Sequence, residues 1–540
     1  MEFFNGNNLH LSIAIVLSAI NAVMMCFIGS KFLQVIQLSG YKIKGFRAWL
    51  QDTKAKYVGR IVMLTFLSLA CVLVTNALLS GYGEYYSYVG LIFYFYFSIV
   101  FIINLFRLPQ KTPLKQTKRM NRLTITVFLV MGTITFFLIA VFSEYVPFVK
   151  FGIVAITPLL TTFVVPLCHL ICVPIEALFR QVYITKAKKK LKKQPDLIKI
   201  GITGSYGKTT TKHILNVMLG KKYNVCMSPH SFNTPMGLTK VINSYLKPEH
   251  QVLITEMGAR QQGDVAYLCR MIKPKHAIIT GVSNQHLATF RTIENVYKAK
   301  KELVDAITDG IICFNSNNQW SKKMYDECNK NKLLCGLEDA ENFVNISNIQ
   351  TTCTGSTFDL TIESKTVSCT TKLLGKHNIE DIAVSAGIAY KLGLKLSEIK
   401  SAIASLKPVA HRMEIINEND YIIIDNSYNA SVESSKASLE TLKLFNGNKI
   451  IVTPGLVELG EEEYKANVDL GYQISQVANK VIIVNQTNKQ AIDEGLRKGN
   501  FELENIIYVE SLNDAKDKLK EIIKSGDVIL FENDLPDNYI

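Results

Sequence analysis

The stretch Gly201-Ile202-Thr203-Gly204-Ser205-Tyr206-Gly207-Lys208-Thr209-Thr210-Thr211-Lys212 decides the fold. The apolar run Leu197–Thr203 before it reads as a buried strand, and the sequence after it reads as a helix. A glycine-rich turn between strand and helix lets backbone N–H groups approach phosphate oxygens, and the helix N-terminus adds its positive dipole end. Gly204 and Gly207 shape that turn, with Thr210 following in the first helical turn. Lys208 is placed to neutralise β/γ oxygens, and the Thr209 hydroxyl suits Mg²⁺. The usual Walker spacing has four residues between its glycines. Here two separate Gly204 from Gly207, so the loop is a shorter variant. Gly-Lys-Thr alone is common by chance, and the strand–loop–helix context carries the reading.

Downstream, short apolar strands at Val252–Thr255, Ala277–Thr280 and Ile311–Phe314 alternate with helical stretches. That alternation predicts a parallel α/β sheet. The Thr/Ser-rich segment 344–374 reads as hairpins attached to it. After Pro408 a second alternating unit begins, with strands at Tyr421–Asp425, Lys449–Val452, Val481–Val484, Ile506–Val509 and Val528–Phe531. It predicts a smaller, doubly wound Rossmann-like domain. The expected division is 195–407 for a P-loop central ATPase domain and 408–540 for the C-terminal one.

Upstream the composition changes. The chain has 540 residues and a formal net charge of +14, which would ordinarily suggest nucleic acid or an anionic membrane. Residues 1–193 carry 21 Lys+Arg against five acids, whereas the rest is nearly neutral with 39 basic and 41 acidic residues. A nucleic-acid partner is therefore not expected. Apolar runs at 11–29, 61–80, 87–106 and 123–142 are long enough to span a bilayer. A fifth, 151–174, holds Pro158, Pro166 and Pro174 and either spans with kinks or dips in and returns. Residues 1–194 thus read as an α-helical membrane domain with about five transmembrane helices. Loops 31–60 and 107–122 carry seven and six basic residues, while 81–86 carries none and the turn 143–150 only Lys150. The positive-inside rule then puts the N-terminus outside, with the catalytic domains cytoplasmic at the cell membrane. The lysine run 186–193 suits an anionic inner leaflet or a solvated helix face. Cys168 and Cys172 flank His169, but within an apolar run they read as packing rather than metal ligands. The 11 scattered cysteines fit a reducing compartment.

Seven motifs in order resemble the Mur ligase family, most closely the branch that adds D-alanyl-D-alanine to the muramyl tripeptide. They are GITGSYGKTTTK (201–212), ITEMGARQQGDV (254–265), HLATFRTIENVYKAKKEL (286–303), LLGKHNIEDIAVSAG (373–387), HRMEI (411–415), DNSYNAS (425–431) and PGLVELG (454–460). The resemblance implies ATP-dependent amide formation through an acyl phosphate, with ATP and two Mg²⁺ ions as cofactors. It assigns Glu256, His286 and a CO₂-derived carbamate on Lys300 to the second Mg²⁺, beside Thr209 at the first. A bare ammonium would repel the metal, whereas a carbamate offers the oxygens Mg²⁺ prefers. With Lys298 and Lys301 adjacent, Lys300 is chosen by the family spacing. Arg412 falls near the phosphates and Asp425 near the ribose. The adenine motif GxHNxxN reads Gly375-Lys-His377-Asn378-Ile-Glu-Asp381 here. Asp381 replaces the second Asn, and an ionised Asp accepts but cannot donate a hydrogen bond.

Two departures bear on substrate. The family's UDP-sugar-gripping N-terminal domain is replaced by membrane helices, which suggests a lipid-linked envelope precursor as acceptor. The branch's C-terminal Lys-Gly-Ser type motif is replaced by Phe531-Glu532-Asn533-Asp534, so the amine donor, an amino acid or a dipeptide, is open. A poly-γ-glutamate-type synthase and a non-catalytic membrane scaffold are the rivals. A transport ATPase is disfavoured, because no Leu-Ser-Gly-Gly-Gln signature occurs.

Overall fold

The computed structural model describes residues 8–52, 56–79, 86–107, 113–142, 150–229, 231–418, 420–428 and 430–533. The loop 81–86, the turn 143–150 and the chain after Asn533, which the topology and donor readings used, lie mostly or wholly outside them. Two compact units divide at Gln181 and Val182.

In the first unit, the described residues form helices at Asn8–Ile28, Ser30–Leu38, Ile43–Asp52, Lys56–Leu79, Tyr86–Arg107 and Lys118–Phe137, and the helix Thr157–Lys192 begins there. Five helical segments are long and apolar enough to cross a membrane: Leu11–Ile28, Lys56–Leu79, Val89–Arg107, Lys118–Ala140 and Ile153–Lys192. The last does not turn back, since one helix runs through Pro166 and Pro174. Phe32, Tyr94 and Met120 are buried inside the unit, while Met63, Phe66 and Phe163 are each at least 70% exposed. A surface of that kind is costly in water. The interior is not wholly apolar. Asn21 donates to Thr135 Oγ1 (2.9 Å) and Thr157 Oγ1 (3.1 Å), and the Tyr94 hydroxyl donates to Asn21 Oδ1. Buried polar groups in such a place need these partners. His169 Nε2 pairs with the Tyr41 carbonyl (3.2 Å), which accounts for its burial between two buried cysteines without a metal.

The second unit holds two sheets. The first contains β1 (Ile198–Thr203), β2 (Val225–Met227), β3 (Val252–Glu256), β4 (His276–Ile279), β5 (Ile312–Asn315), β6 (Lys332–Leu337), β7 (Val344–Thr352), β8 (Gly355–Ile362) and β9 (Lys365–Thr371). Their order is β2-β3-β1-β4-β5-β6-β7-β8-β9, parallel as far as β7 and closed by antiparallel hairpins. The central strands are buried on both faces, hence their continuous apolar runs. The second sheet has β10 (Glu414–Asn417), β11 (Ile422–Asn426), β12 (Lys449–Thr453), β13 (Lys480–Val484), β14 (Ile506–Val509) and β15 (Val528–Glu532), in the order β10-β11-β15-β12-β13-β14. Only β10 is antiparallel to its neighbour. The sequence reading lacked β2, β6 and β10. β2 is three residues long, and β10 is an edge strand inside the HRMEI motif.

The Pro195 boundary expected from sequence lies after the division between units. Residues Ile184, Ala187 and Leu191, at the end of the long helix, are buried in one core with Leu238, Val241 and Ile242. Lys190 Nζ also donates to the Asn243 carbonyl at 3.3 Å. The lysine run is therefore the outer face of a helix whose inner face belongs to the catalytic unit.

Candidate active site

The phosphate loop follows β1 and opens the helix Lys208–Leu219. Gly207 sits at the helix N-cap with φ +75, and a Cβ there would lie 2.5 Å from Asp381 Oδ1. Glycine is required by both backbone and space. A Cβ on Gly204 would meet Thr280 Oγ1 at 1.9 Å. The loop is pinned to the chain after β4. Ser205 N–H donates to the Gly281 carbonyl (2.8 Å), Ser283 N–H to Ser205 Oγ (3.1 Å), and Thr280 Oγ1 to the Tyr206 carbonyl (2.5 Å). These partners carried no motif signal in sequence.

The Lys208 ammonium folds back on its own loop, donating to the Gly204 (2.6 Å) and Ser205 (3.0 Å) carbonyls. Burial pushes it down to about 8, opposed by Glu256. Glu256 ends β3 and is fully buried. Its Oε2 accepts from Thr209 Oγ1 at 3.1 Å, and its Oε1 lies 2.8 Å from Lys212 Nζ. Lys212 is fully buried as well and donates to Ser228 Oγ at 3.2 Å. It lies in the phosphate-loop motif, yet its spacing gave no sign that it would neutralise Glu256. Thr210 is buried in the same turn.

Lys300 is on the helix Ile293–Ala306 and 3% exposed. Burial first, then the nearby Lys208 charge, lowers its ammonium to about 7. A large share of it is therefore the free amine at neutral pH. His286 has φ +57, and its Nδ1 is taken by the Glu458 carboxylate. Glu458 itself has φ +65, and Arg260 lies 3.8 Å from its other oxygen. Two non-glycine residues in the left-handed region mark a site where tertiary contacts override local preference. Glu458 was legible only as part of PGLVELG.

Arg412 reaches from the C-terminal domain. Its Nη2 donates to Thr209 Oγ1 at 3.2 Å, and its guanidinium lies 4.7 Å from the Tyr428 ring centroid. His411 (φ +61) and Met413 (φ +52) flank it in left-handed conformations. Asp425 Oδ2 accepts from His411 Nδ1 at 2.7 Å, and Oδ1 accepts from Ser427 Oγ at 2.6 Å. Asn378 donates to the Leu374 carbonyl at 2.6 Å.

Asp381 and Glu532 differ from their sequence readings. Asp381 is buried. It is 4% exposed, accepts from Thr211 Oγ1 at 2.9 Å, and burial raises its carboxyl well above the usual range. Burial thus favours the protonated form, which carries the single hydroxyl donor that an ionised Asp lacks. Glu532 does not face an incoming amine. It is fully buried, accepting from Ser435 (2.6 Å), Ser438 and Asn426 (3.1 Å), and burial raises its carboxyl too. Asn533 ties two loops together, accepting from Ala430 N–H (3.1 Å) and donating to the Gly455 carbonyl (2.6 Å).

Residues 202–389 match the Mur ligase middle domain and residues 411–532 match the Mur ligase glutamate ligase domain, together more than half of the chain. The chain belongs to the Mur ligase family. Mur ligases are ATP-dependent amide ligases, and the chain is an enzyme of that class. It is 28% identical over 275 residues to the UDP-N-acetylmuramoyl-tripeptide–D-alanyl-D-alanine ligase of Escherichia coli, covering 50% of this chain and 61% of that one. With the Bacillus subtilis enzyme of the same name it shares 27% over 338 residues, 62% and 72% of the two chains. MurF from Thermotoga maritima in complex with ADP superposes with a TM-score of 0.57 at 25% identity, covering 66% of this chain and 80% of the other. MurF from Acinetobacter baumannii shares the fold, with a TM-score of 0.59 at 21% identity over 66% and 77% of the chains. Both matched family domains begin after residue 201, so the apolar helices lie outside them.

Proposed function

We propose that this Mur ligase is anchored in the cell membrane by its five apolar helices, with the N-terminus outside and the catalytic unit in the cytoplasm. It joins the amine of an amino acid or dipeptide to a carboxylate on a cell-envelope precursor held at the bilayer. The observation that carries the chemistry is the convergence of Lys208, Thr209, Glu256, Arg412 and Lys300 behind one glycine-rich loop. The relatives named above act on UDP-muramoyl-tripeptide and D-alanyl-D-alanine. A lipid-linked acceptor of the same peptide class suits a chain whose apolar helices stand before the family domains.

The donor set fits Mg²⁺. Glu256 and Thr209 are hard oxygen donors 3.1 Å apart at the strand end. His286 keeps Nε2 for a ligand while Glu458 holds Nδ1, the arrangement that orients metal-binding histidines. Lys300 as an ammonium would not fit. Its free amine adds to CO₂, releasing one proton, and the resulting carbamate completes an oxygen-rich set. Bound Mg²⁺ would neutralise charge developing on the phosphates. Lys208 and Arg412 are placed to hold the γ-phosphoryl oxygens while the acceptor carboxylate attacks phosphorus and ADP leaves. The donor amine then attacks the acyl carbon of that acyl phosphate, loses a proton, and expels inorganic phosphate. A cavity of about 210 Å³ is lined by Asn284, Ser435, Leu456, Glu462, Lys465 and Asp469. Its charges of both signs suit a zwitterionic donor.

Full-length protein in lipid nanodiscs should release ADP only when both a muramyl-peptide acceptor and an amine are supplied. The extracted product should gain the mass of the donor less one water. Release of ADP without either substrate overturns the reading. A ladder of products moves it to a polymer synthase.

Two further outcomes are expected. Intact-peptide mass spectrometry under bicarbonate should find one CO₂ on Lys300, and Lys300→Arg should show none. Glu458→Gln should weaken Mn²⁺ binding at one of two sites by roughly tenfold, as loss of a histidine-orienting partner does. Electron paramagnetic resonance titration reads that directly, and unchanged stoichiometry and affinity would exclude the Glu458 role.

A further inference from the structure

The N-terminal unit contains a charged cluster that amide ligation does not use. Glu176 is the single carboxylate in the five candidate spans. Arg122 grips it through two parallel hydrogen bonds, Nε to Oε1 at 2.6 Å and Nη2 to Oε2 at 2.8 Å. Arg119 Nε lies 3.8 Å from Oε2. Arg180 is four residues beyond Glu176 on the same helix, on the same face and exposed. Three guanidinium groups stand against one carboxylate, leaving a local surplus of two positive charges.

The backbone adds to that surplus. Lys118, Arg119 and Arg122 open the helix Lys118–Phe137, whose first turn has no acid. A helix N-terminus carries partial positive charge, so cations gathered there repel it unless an anion joins them. The arginine planes are held in place. The Arg119 guanidinium lies 3.7 Å from the Tyr41 ring centroid and that of Arg122 lies 4.4 Å from the Phe179 ring centroid. Tyr41 is held at φ +61, a conformation costly for an aromatic residue. Its carbonyl is bonded to His169, and reciprocal hydrogen bonds between Gln37 and Lys115 tie the neighbouring segments (2.7 and 2.9 Å). The Glu176 side chain is only 13% exposed, but those of Arg119 and Arg122 keep 38% and 33%. The carboxylate is largely covered, while the two arginine side chains stay part-exposed beside the exposed apolar Leu178 and Phe179.

We propose that Arg119, Arg122 and Arg180 bind the diphosphate headgroup of a membrane lipid, with Glu176 fixing the Arg122 fork. Paired arginine forks match phosphate oxygens bidentately, and a diphosphate supplies the negative charge the cluster lacks. The site rests on the membrane reading above and gives the lipid-linked acceptor a place to be held.

The test uses the full chain in phosphatidylcholine nanodiscs, with retained lipid read by native mass spectrometry. A polyprenyl diphosphate, phosphatidylglycerol at matched charge, and inorganic diphosphate are titrated separately. The diphosphate lipid should bind tightest. The double substitution Arg119→Gln/Arg180→Gln leaves the Arg122–Glu176 pair intact and should lower its affinity at least tenfold, with Arg119→Lys intermediate. Phosphatidylglycerol should bind weakly and equally to both proteins. Equal retention of the diphosphate lipid by wild type and double variant overturns the proposal. So does binding of inorganic diphosphate as tight as that of the lipid, which would assign the cluster to a soluble anion. Failure of the wild-type chain to enter nanodiscs would instead remove the membrane reading itself.

Discussion

Lys208→Ala is expected to lower kcat/KM for ATP-dependent ligation about a thousandfold, roughly 4 kcal/mol of transition-state stabilisation. The side chain is the one cation on the phosphate loop itself, and its ammonium already lies among the backbone carbonyls of Gly204 and Ser205. Bound phosphates would draw it off those carbonyls and onto the transferring group, where its charge counts most. The loss should fall mainly on kcat, because the charge it offsets grows as the phosphoryl group transfers. Circular dichroism of the variant should be unchanged, since the hydrogen bonds of Nζ among the described residues stay within its own loop. Steady-state kinetics with acceptor and amine both saturating make the measurement. Activity within tenfold of wild type would take Lys208 out of phosphoryl transfer.

The second large effect is on stability. Lys212→Met should destabilise the catalytic unit by about 3 kcal/mol, because it strands the fully buried Glu256 carboxylate without its ion-pair partner. Lys208 and Arg412 also act on Glu256, which limits the loss. The double variant Lys212→Met/Glu256→Gln should recover most of the stability, since removing both charges removes the desolvation cost of each. Urea unfolding of the full chain, followed by near-ultraviolet dichroism, gives both values. Additive losses in the double variant would show that the pair is not coupled. Mg²⁺ should partly rescue Lys212→Met, because a bound cation replaces the missing positive charge beside Glu256.

These residues show where sequence reasoning works and where it stops. The phosphate loop was legible because its demands are local. A Gly207 at positive φ, a lysine after it and a helix behind it follow from neighbours along the chain. The parallel sheet was legible for the same reason, since strands buried on both faces leave continuous apolar runs. The short β2 and the edge strand β10 left no such mark. Lys212 was visible in the motif but not its role, because its partner Glu256 stands on β3, brought beside it by the β1–β3 pairing. Glu458 was hidden likewise. It meets His286 only when the C-terminal domain lies against the central one.

Sequence by itself determined the fold class, the phosphate loop, the family and the location of the +14 charge, which sits in the apolar third rather than across the chain. These follow from periodicity, composition and contiguous motifs, all properties of neighbouring residues. Only the tertiary structure decided burial and pairing. Asp381 reads as a lost donor in sequence, yet burial pushes its carboxyl toward the protonated form that carries one. Lys300 reads as one of several helix lysines, yet burial beside Lys208 lowers its ammonium to about 7. Glu532 reads as part of a replaced motif that leaves the amine donor open, and it is an internal brace. The physical reason is the same in each case. A titratable group's charge depends on how much water and which charges surround it, and these are set by residues distant in the chain that folding brings together.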